Sequence, residues 1–115
     1  MKRKNKKLSP EQLDILQERF GPVSFSGSVD LVYEDQIPHS GVVLLEGEAV
    51  LTRKKKIIET VEPGTLMGVH QLINNEPVRH GCKLRHNARV ILLHRSDLLE
   101  LLDEDDSTLR KALIS

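Results

Sequence analysis

Aromatic side chains are scarce in this chain: 115 residues include no tryptophan, one tyrosine and two phenylalanines. Proteins that hold single-stranded nucleic acid stack its bases on such rings, so that mode has almost nothing to work with. The lone Cys82 excludes an internal disulfide and with it the cross-linked secreted scaffolds. No apolar run approaches the roughly 18 residues that suggest a membrane span. The basic start also lacks the apolar stretch of a secretory signal, because Leu8 is followed at once by Ser9, Pro10 and Glu11. A cytoplasmic protein with no membrane span is the expectation.

Net charge is absent as well, with 17 Lys and Arg against 17 Asp and Glu, but the balance conceals an asymmetry. Lys2, Arg3, Lys4, Lys6 and Lys7 place five cations in the first seven residues, leaving 12 basic and 17 acidic groups in the rest. An acidic body repels nucleic-acid phosphate over most of its surface, so nucleic acid is not an expected partner. The length suits one domain with one modest core. Residues 1–7 read as a disordered basic arm and 8–115 as the folded domain.

What is present is a helix, a series of short strands, and helices again. Ser9 can cap a helix that opens with Pro10, Gln12 completes a capping box, and Leu13, Leu16 and Phe20 recur at helical spacing until Gly21-Pro22. Between residues 23 and 94, short aliphatic and β-branched runs alternate with Gly, Pro, Asn and Asp, as in an antiparallel β-barrel or roll. Strands are expected near 23–25, 29–33, 42–46, 48–53, 57–61, 79–84 and 89–94. Turns are expected at Asp35 to Pro38, at the Lys54-Lys55-Lys56 hairpin tip, and at Glu62-Pro63-Gly64-Thr65. Residues 69–73 suit one helical turn before Asn74-Asn75-Glu76-Pro77. Ser96 can cap a helix carrying Leu98, Leu99, Leu101 and Leu102, and Ser107 a second with Leu109, Ala112 and Leu113.

That order resembles the cyclic-nucleotide-binding domain family over residues 8–114. Tyr33-Glu34-Asp35-Gln36-Ile37-Pro38 is similar to the family's turn after its second long strand, and residues 42–51, with Gly47 in their midst, to its strand-glycine-strand hairpin. Residues 61–68 resemble the approach to its phosphate-binding cassette, and 95–102 the helix after the roll. The resemblance implies a mainly β fold: a double-stranded β-helix, or jelly-roll-like β-roll, with one N-terminal helix and two short C-terminal helices.

In the family's cassette a Phe-Gly-Glu run supplies the acid that takes the ribose hydroxyl, and a later Pro-Arg-Ala run the Arg that neutralises the cyclic phosphate. Aligned on Gly68 and Pro77, this chain offers Met67-Gly68-Val69 and Pro77-Val78-Arg79, so valines stand at both polar positions. A phosphate without its cation forfeits about 1.5–3 kcal/mol of charge-assisted hydrogen bonding. With the ribose contact also lost, binding falls by about two to four decades. Arg79 lies one position along, which on a strand is the opposite face, so it substitutes only if the strand slips or bulges. The pocket-equivalent residues are Gly68, Val69, His70, Val78, Arg79 and His80.

A metal site is a separate reading. His80, Cys82 and His86 fall within seven residues, His80 and Cys82 would share a strand face, and His70 can lie near. The cupin family shares the roll and binds metal through His and Glu, but only His39 stands before the strand where its first motif begins, and Ser40 occupies a ligand position. The histidines are more simply surface or half-buried groups. Cys82 inside a strand reads as a small apolar residue, and no nucleophile, base pair or phosphate loop has the required spacing, so no enzyme is expected. Arg53 to Lys56 reads as a solvated tip. Arg79, Lys83, Arg85 and Arg89 suggest a wet, basic strand face suited to an acidic partner.

The leading expectation is therefore a non-catalytic regulatory or adaptor module that no longer holds cyclic mononucleotides tightly and works through protein partners. The family's DNA-regulating members continue into a long dimerising helix and a helix-turn-helix domain, and the chain ends at Ser115 before either, so no output domain is expected. The alternatives are a sensor of a cyclic nucleotide or other small anion through an altered cassette, and a cupin-like metal protein. No cofactor is required by the leading reading. Exposed leucines on the terminal helices would allow a homodimer.

Overall fold

A computed structural model describes residues 6–103. Its elements run β1 (Lys6–Lys7), α1 (Pro10–Arg19), β2 (Val23–Ser24), β3 (Val29–Val32), β4 (Gly41–Arg53), β5 (Lys56–Val61), β6 (Thr65–Met67), α2 (Val69–Asn74), β7 (Gly81–Leu93) and α3 (Arg95–Asp103). The expected mainly β roll with flanking helices is what forms. The helix expected after Ser107, and residues 1–5 of the basic arm, lie outside the described residues.

The α1 start follows the sequence signal. Gln12 donates its backbone N–H to Ser9 Oγ at 3.2 Å, and the Ser9 N–H donates to Gln12 Oε1 at 2.9 Å, so two otherwise orphan amides are satisfied reciprocally. Pro10 occupies the first turn, where its missing N–H costs nothing. Leu16 on this short helix is 2% exposed and anchors it to the core.

Two 13-residue strands, β4 and β7, form the spine and pair antiparallel from Gly41 with Leu93 to Thr52 with Gly81. The seven strands run β1-β6-β4-β7-β2, with β5 added to β4 and β3 to β7 at the other end. Each long strand was expected as two shorter ones. Gly47 and the pair His86-Asn87 interrupt the sequence pattern, but they are absorbed as bulges within continuous strands. Gly47 has φ +89°, and His86 and Asn87 have φ +61° and +54°. Strand periodicity explains why residues 42–44 are apolar without a break. Val43 joins one hydrophobic cluster with Leu8, Leu16, Val69, Leu72, Ile91, Leu98 and Leu101, while Val42 and Leu44 join another with Ala49, Met67, Leu84 and Val90. A strand covered on both faces needs apolar residues on both.

The structure moves three sequence-based boundaries. Lys6 and Lys7, placed in the disordered arm, pair as β1 with Leu66 and Thr65, and Lys7 Nζ lies 2.9 Å from Glu62 Oε2. Thr65, expected to end a turn, instead opens β6 with Leu66 and Met67, where no strand is expected, between β1 and β4. Asp97, not Ser96, serves the start of α3: its Oδ2 accepts the His94 N–H at 3.0 Å, and Leu98 donates to the His94 carbonyl. Among the described residues no helix is long and apolar enough to cross a membrane.

Candidate functional site

The cassette-like segment begins where β6 ends. Gly68 adopts φ +77°, ψ 0°, a left-handed conformation that favours glycine, and its carbonyl accepts the Leu72 N–H at 3.0 Å to start α2. The helix stops six residues later at Asn75, also left-handed. Arg95 at the head of α3 donates to the Ile73 carbonyl at 3.2 Å and ties down the end of α2.

Val69 does not face an open hollow. It is 6% exposed and packs in the cluster with Leu72 and Leu98, so tightly against β4 that a Cβ built on Gly41 would lie 2.8 Å from Val69 Cγ2. The other valine is equally committed. Val78 is 8% exposed, its N–H donates to the Gln36 carbonyl and its carbonyl accepts from Asp35 N–H, both at 2.8 Å. Val69 is thus part of the core packing, and Val78 is buried with its backbone bonded to the turn after β3.

His70 sits on α2 with Nδ1 3.1 Å from Asn74 Nδ2 and Nε2 3.7 Å from Glu76 Oε2, which ties it to the helix's own C-terminal turn. Arg79 and His80 were expected on a strand, and they are not: β7 begins at Gly81. Two expectations fall with that placement. His80 and Cys82 share no strand face, and the argument that Arg79 must point away from the pocket loses its premise. Arg79 is exposed, its carbonyl accepts a hydrogen bond from Arg53 Nη1 at 2.6 Å, and its guanidinium has no partner among the described residues.

Arg53 was read as part of a solvated tip and proves to be a hub. Besides the Arg79 carbonyl, it approaches Glu34 Oε2 at 3.4 Å and Asp35 Oδ1 at 3.7 Å, and Glu34 Oε1 accepts the Lys54 N–H at 2.8 Å. One guanidinium therefore links the turn after β3, the β4–β5 hairpin and the end of the cassette. The available signal was an acidic pair in one turn and an Arg at the base of another.

The expected basic strand face is neutralised. Lys83 meets Asp30 at 4.0 Å, Arg85 meets Glu48 at 3.3 Å, and Arg89 meets Glu46 at 3.7 Å, each acid lying on a neighbouring strand or bulge. Cross-strand pairing of opposite charges explains this alternation without an external partner. Cys82 is buried, as expected, and burial followed by the nearby Asp30 charge pushes its thiol pKa up to about 11. His86 lies at the bulge, 4.0 Å from Glu48. Among the described residues no three His, Cys, Asp or Glu side chains converge to hold a metal ion. A cleft of about 330 Å³ opens elsewhere, between α1 and the Pro63-Gly64 turn, lined by Leu8, Leu13 and Leu45 with Lys7 and Arg89 at its edge and including none of the six cassette residues.

No family model matches the chain, and no curated protein matches it. Solved structures do. One described with a cyclic-GMP-dependent signalling pathway that regulates bacterial phytopathogenesis superposes with a TM-score of 0.79 at 18% identity, over 94% of this chain and 90% of the other. A putative cyclic nucleotide-binding protein from Geobacter metallireducens gives 0.65 at 24% identity, over 92% and 79%. The catabolite activator protein of Thermus thermophilus gives 0.67 at 19% identity over 83% of this chain, which spans only 47% of that one. These likenesses establish the fold.

Proposed function

We propose that this domain, which has the β-roll fold of cyclic-nucleotide-binding domains, is a non-catalytic regulatory or adaptor module whose cassette does not hold cyclic mononucleotides tightly. In this reading it passes its signal by contact with a protein partner. The observation that carries it is the burial of Val69 and Val78, at 6% and 8% exposure, in the two positions where the fold's ligand-holding members need an acid and a cation. An apolar side chain locked into a core offers no hydrogen bond to a hydroxyl or a phosphate, and a phosphate set against it loses water without compensation. Titration calorimetry with cyclic AMP, cyclic GMP and cyclic dinucleotides tests the reading. The expected outcome is no stoichiometric heat in the low-micromolar range, and tight one-to-one binding of a mononucleotide overturns it.

A second reading rests on Arg79. Its exposed guanidinium, unpartnered among the described residues, directly follows Val78 and lies outside β7, so it is open to an anion at the end of the cassette. If the domain is instead a sensor of a small anionic ligand, Arg79 is the cation that takes the charge. Thermal-shift screening then finds a stabilising ligand whose effect disappears in Arg79→Ala. An unchanged shift in that variant removes this reading.

A further inference from the structure

The β5 strand is hydrogen-bonded to β4 along one edge, and no strand pairs its other edge among the described residues. Residues 56–60 are exposed throughout, and Ile57 and Ile58 are each 55% exposed. The two adjacent isoleucines put apolar surface beside this open backbone. An unpaired edge of that kind is a template for strand addition.

Charge selects what adds. The strand and its flanks are polarised, with the turn residues Lys54 and Lys55 and then Lys56 at one end, and Glu59 followed by Glu62 with its Lys7 partner at the other. Lysines at an edge ordinarily deter other strands, because they meet nothing that compensates them. A strand running antiparallel with acids at its far end reverses that penalty, and the chain itself carries such a strand.

We propose that β5 pairs edge to edge with β5 of a second copy of this chain, antiparallel about a two-fold axis through the middle of the strand. The Ile57-Ile58 pairs of the two copies then meet at the centre, and the lysine end of each strand lies beside the Glu59 and Glu62 end of the other. The β4–β5 register pairs Leu51 with Glu59 and Thr52 with Ile57, so Ile58 is the extra residue of a bulge. The bulge bends the strand and keeps the pairing short. The interface is accordingly below the ~1,000 Å² of stable complexes, and the dimer is weak, with a dissociation constant on the order of 100 µM. This inference is independent of whether the cassette binds a nucleotide.

Sedimentation velocity on the full chain from 10 µM to 1 mM, in about 50 and about 500 mM NaCl, tests it with two surface variants. One carries Lys54→Glu, Lys55→Glu and Lys56→Glu, and the other Glu59→Lys and Glu62→Lys. The wild type dimerises at low salt and about tenfold more weakly at high salt, since exposed charges are screened. Each variant alone stays monomeric through repulsion, while their equimolar mixture dimerises as strongly as wild type. A wild type that is monomeric at 1 mM in low salt, variants that self-associate like wild type, or a mixture that stays monomeric overturns the proposal. So does wild-type binding to phosphatidylserine vesicles, lost in the lysine variant, without self-association.

Discussion

Replacing Val69 with Glu restores the residue type that the fold's nucleotide-holding members use, and its cost follows from where Val69 sits. The side chain is 6% exposed in a cluster with Leu72 and Leu98, with Gly41 pressed against it. An ionised carboxylate there would lose several kcal/mol of hydration without a partner, so the cheaper course is to bind a proton. Holding a carboxyl of reference pKa ~4.3 neutral costs about 3.7 kcal/mol at pH 7 and about 1 kcal/mol at pH 5. The folded-state pKa of the introduced acid is raised, so the penalty is small below the unfolded pKa and grows as pH rises toward the folded one. For a domain of this size 1 kcal/mol moves Tm by about 4 °C. Val69→Glu should melt about 15 °C below wild type at pH 7 and about 4 °C below at pH 5, whereas Val69→Gln should lose similar amounts at both. Thermal melts followed by circular dichroism at the two pH values measure it. A Glu variant as stable as wild type at pH 7, or one stabilised by cyclic nucleotide, would refute the view that this position belongs to the core.

Gly47→Ala should cost at least ~3 kcal/mol in urea denaturation, because a Cβ there lies 2.7 Å from Ala88 Cα at φ +89°. Cys82, with its thiol pKa pushed up to about 11, should resist alkylation in the folded protein at pH 8 and react at the ordinary rate in 8 M urea. Because the folded pKa is the raised one, the linked stability is complete below pH 9 and fades as pH climbs toward 11. It amounts to about 2–3 kcal/mol, which pH-dependent urea midpoints would reveal. Ser9→Ala removes half of the capping box and should lower stability by about 1 kcal/mol, with Ser9→Asp retaining most of it.

Local signals in the sequence were read correctly where local chemistry decides the outcome. Ser9, Pro10 and Gln12 specify their helix start because all the partners lie within four residues. The αL stop at Asn75 and the short helix before it follow from turn-forming residues in the same way. What escaped was nonlocal. Whether Gly47 ends a strand or bulges it depends on Ala88 and Arg85 across the sheet, and whether Lys6 and Lys7 are ordered depends on Leu66 and Thr65. The cassette valines were identified from sequence, but that they are buried rather than lining a hollow depends on Gly41, Leu98 and the Asp35-Gln36 turn. The role of Arg53 is hidden because its partners, the adjacent Glu34 and Asp35 and the Arg79 carbonyl, come from two segments about twenty or more residues away on either side. The displacement of Arg79 from the strand, set by the two backbone hydrogen bonds at Val78, is likewise invisible to any periodicity.

The β4–β7 spine joins residues roughly thirty to fifty positions apart along the chain, so its contacts form only after large loops have closed. During synthesis β4 leaves the ribosome well before its mate exists, presenting Val42, Val43, Leu44 and Val50 with no cover. The cationic Arg53-Lys54-Lys55-Lys56 stretch that follows immediately is of the kind that flanks aggregation-prone strands, since like charges there repel between exposed chains. Neutralising it should show first as inclusion bodies rather than as a lower melting temperature.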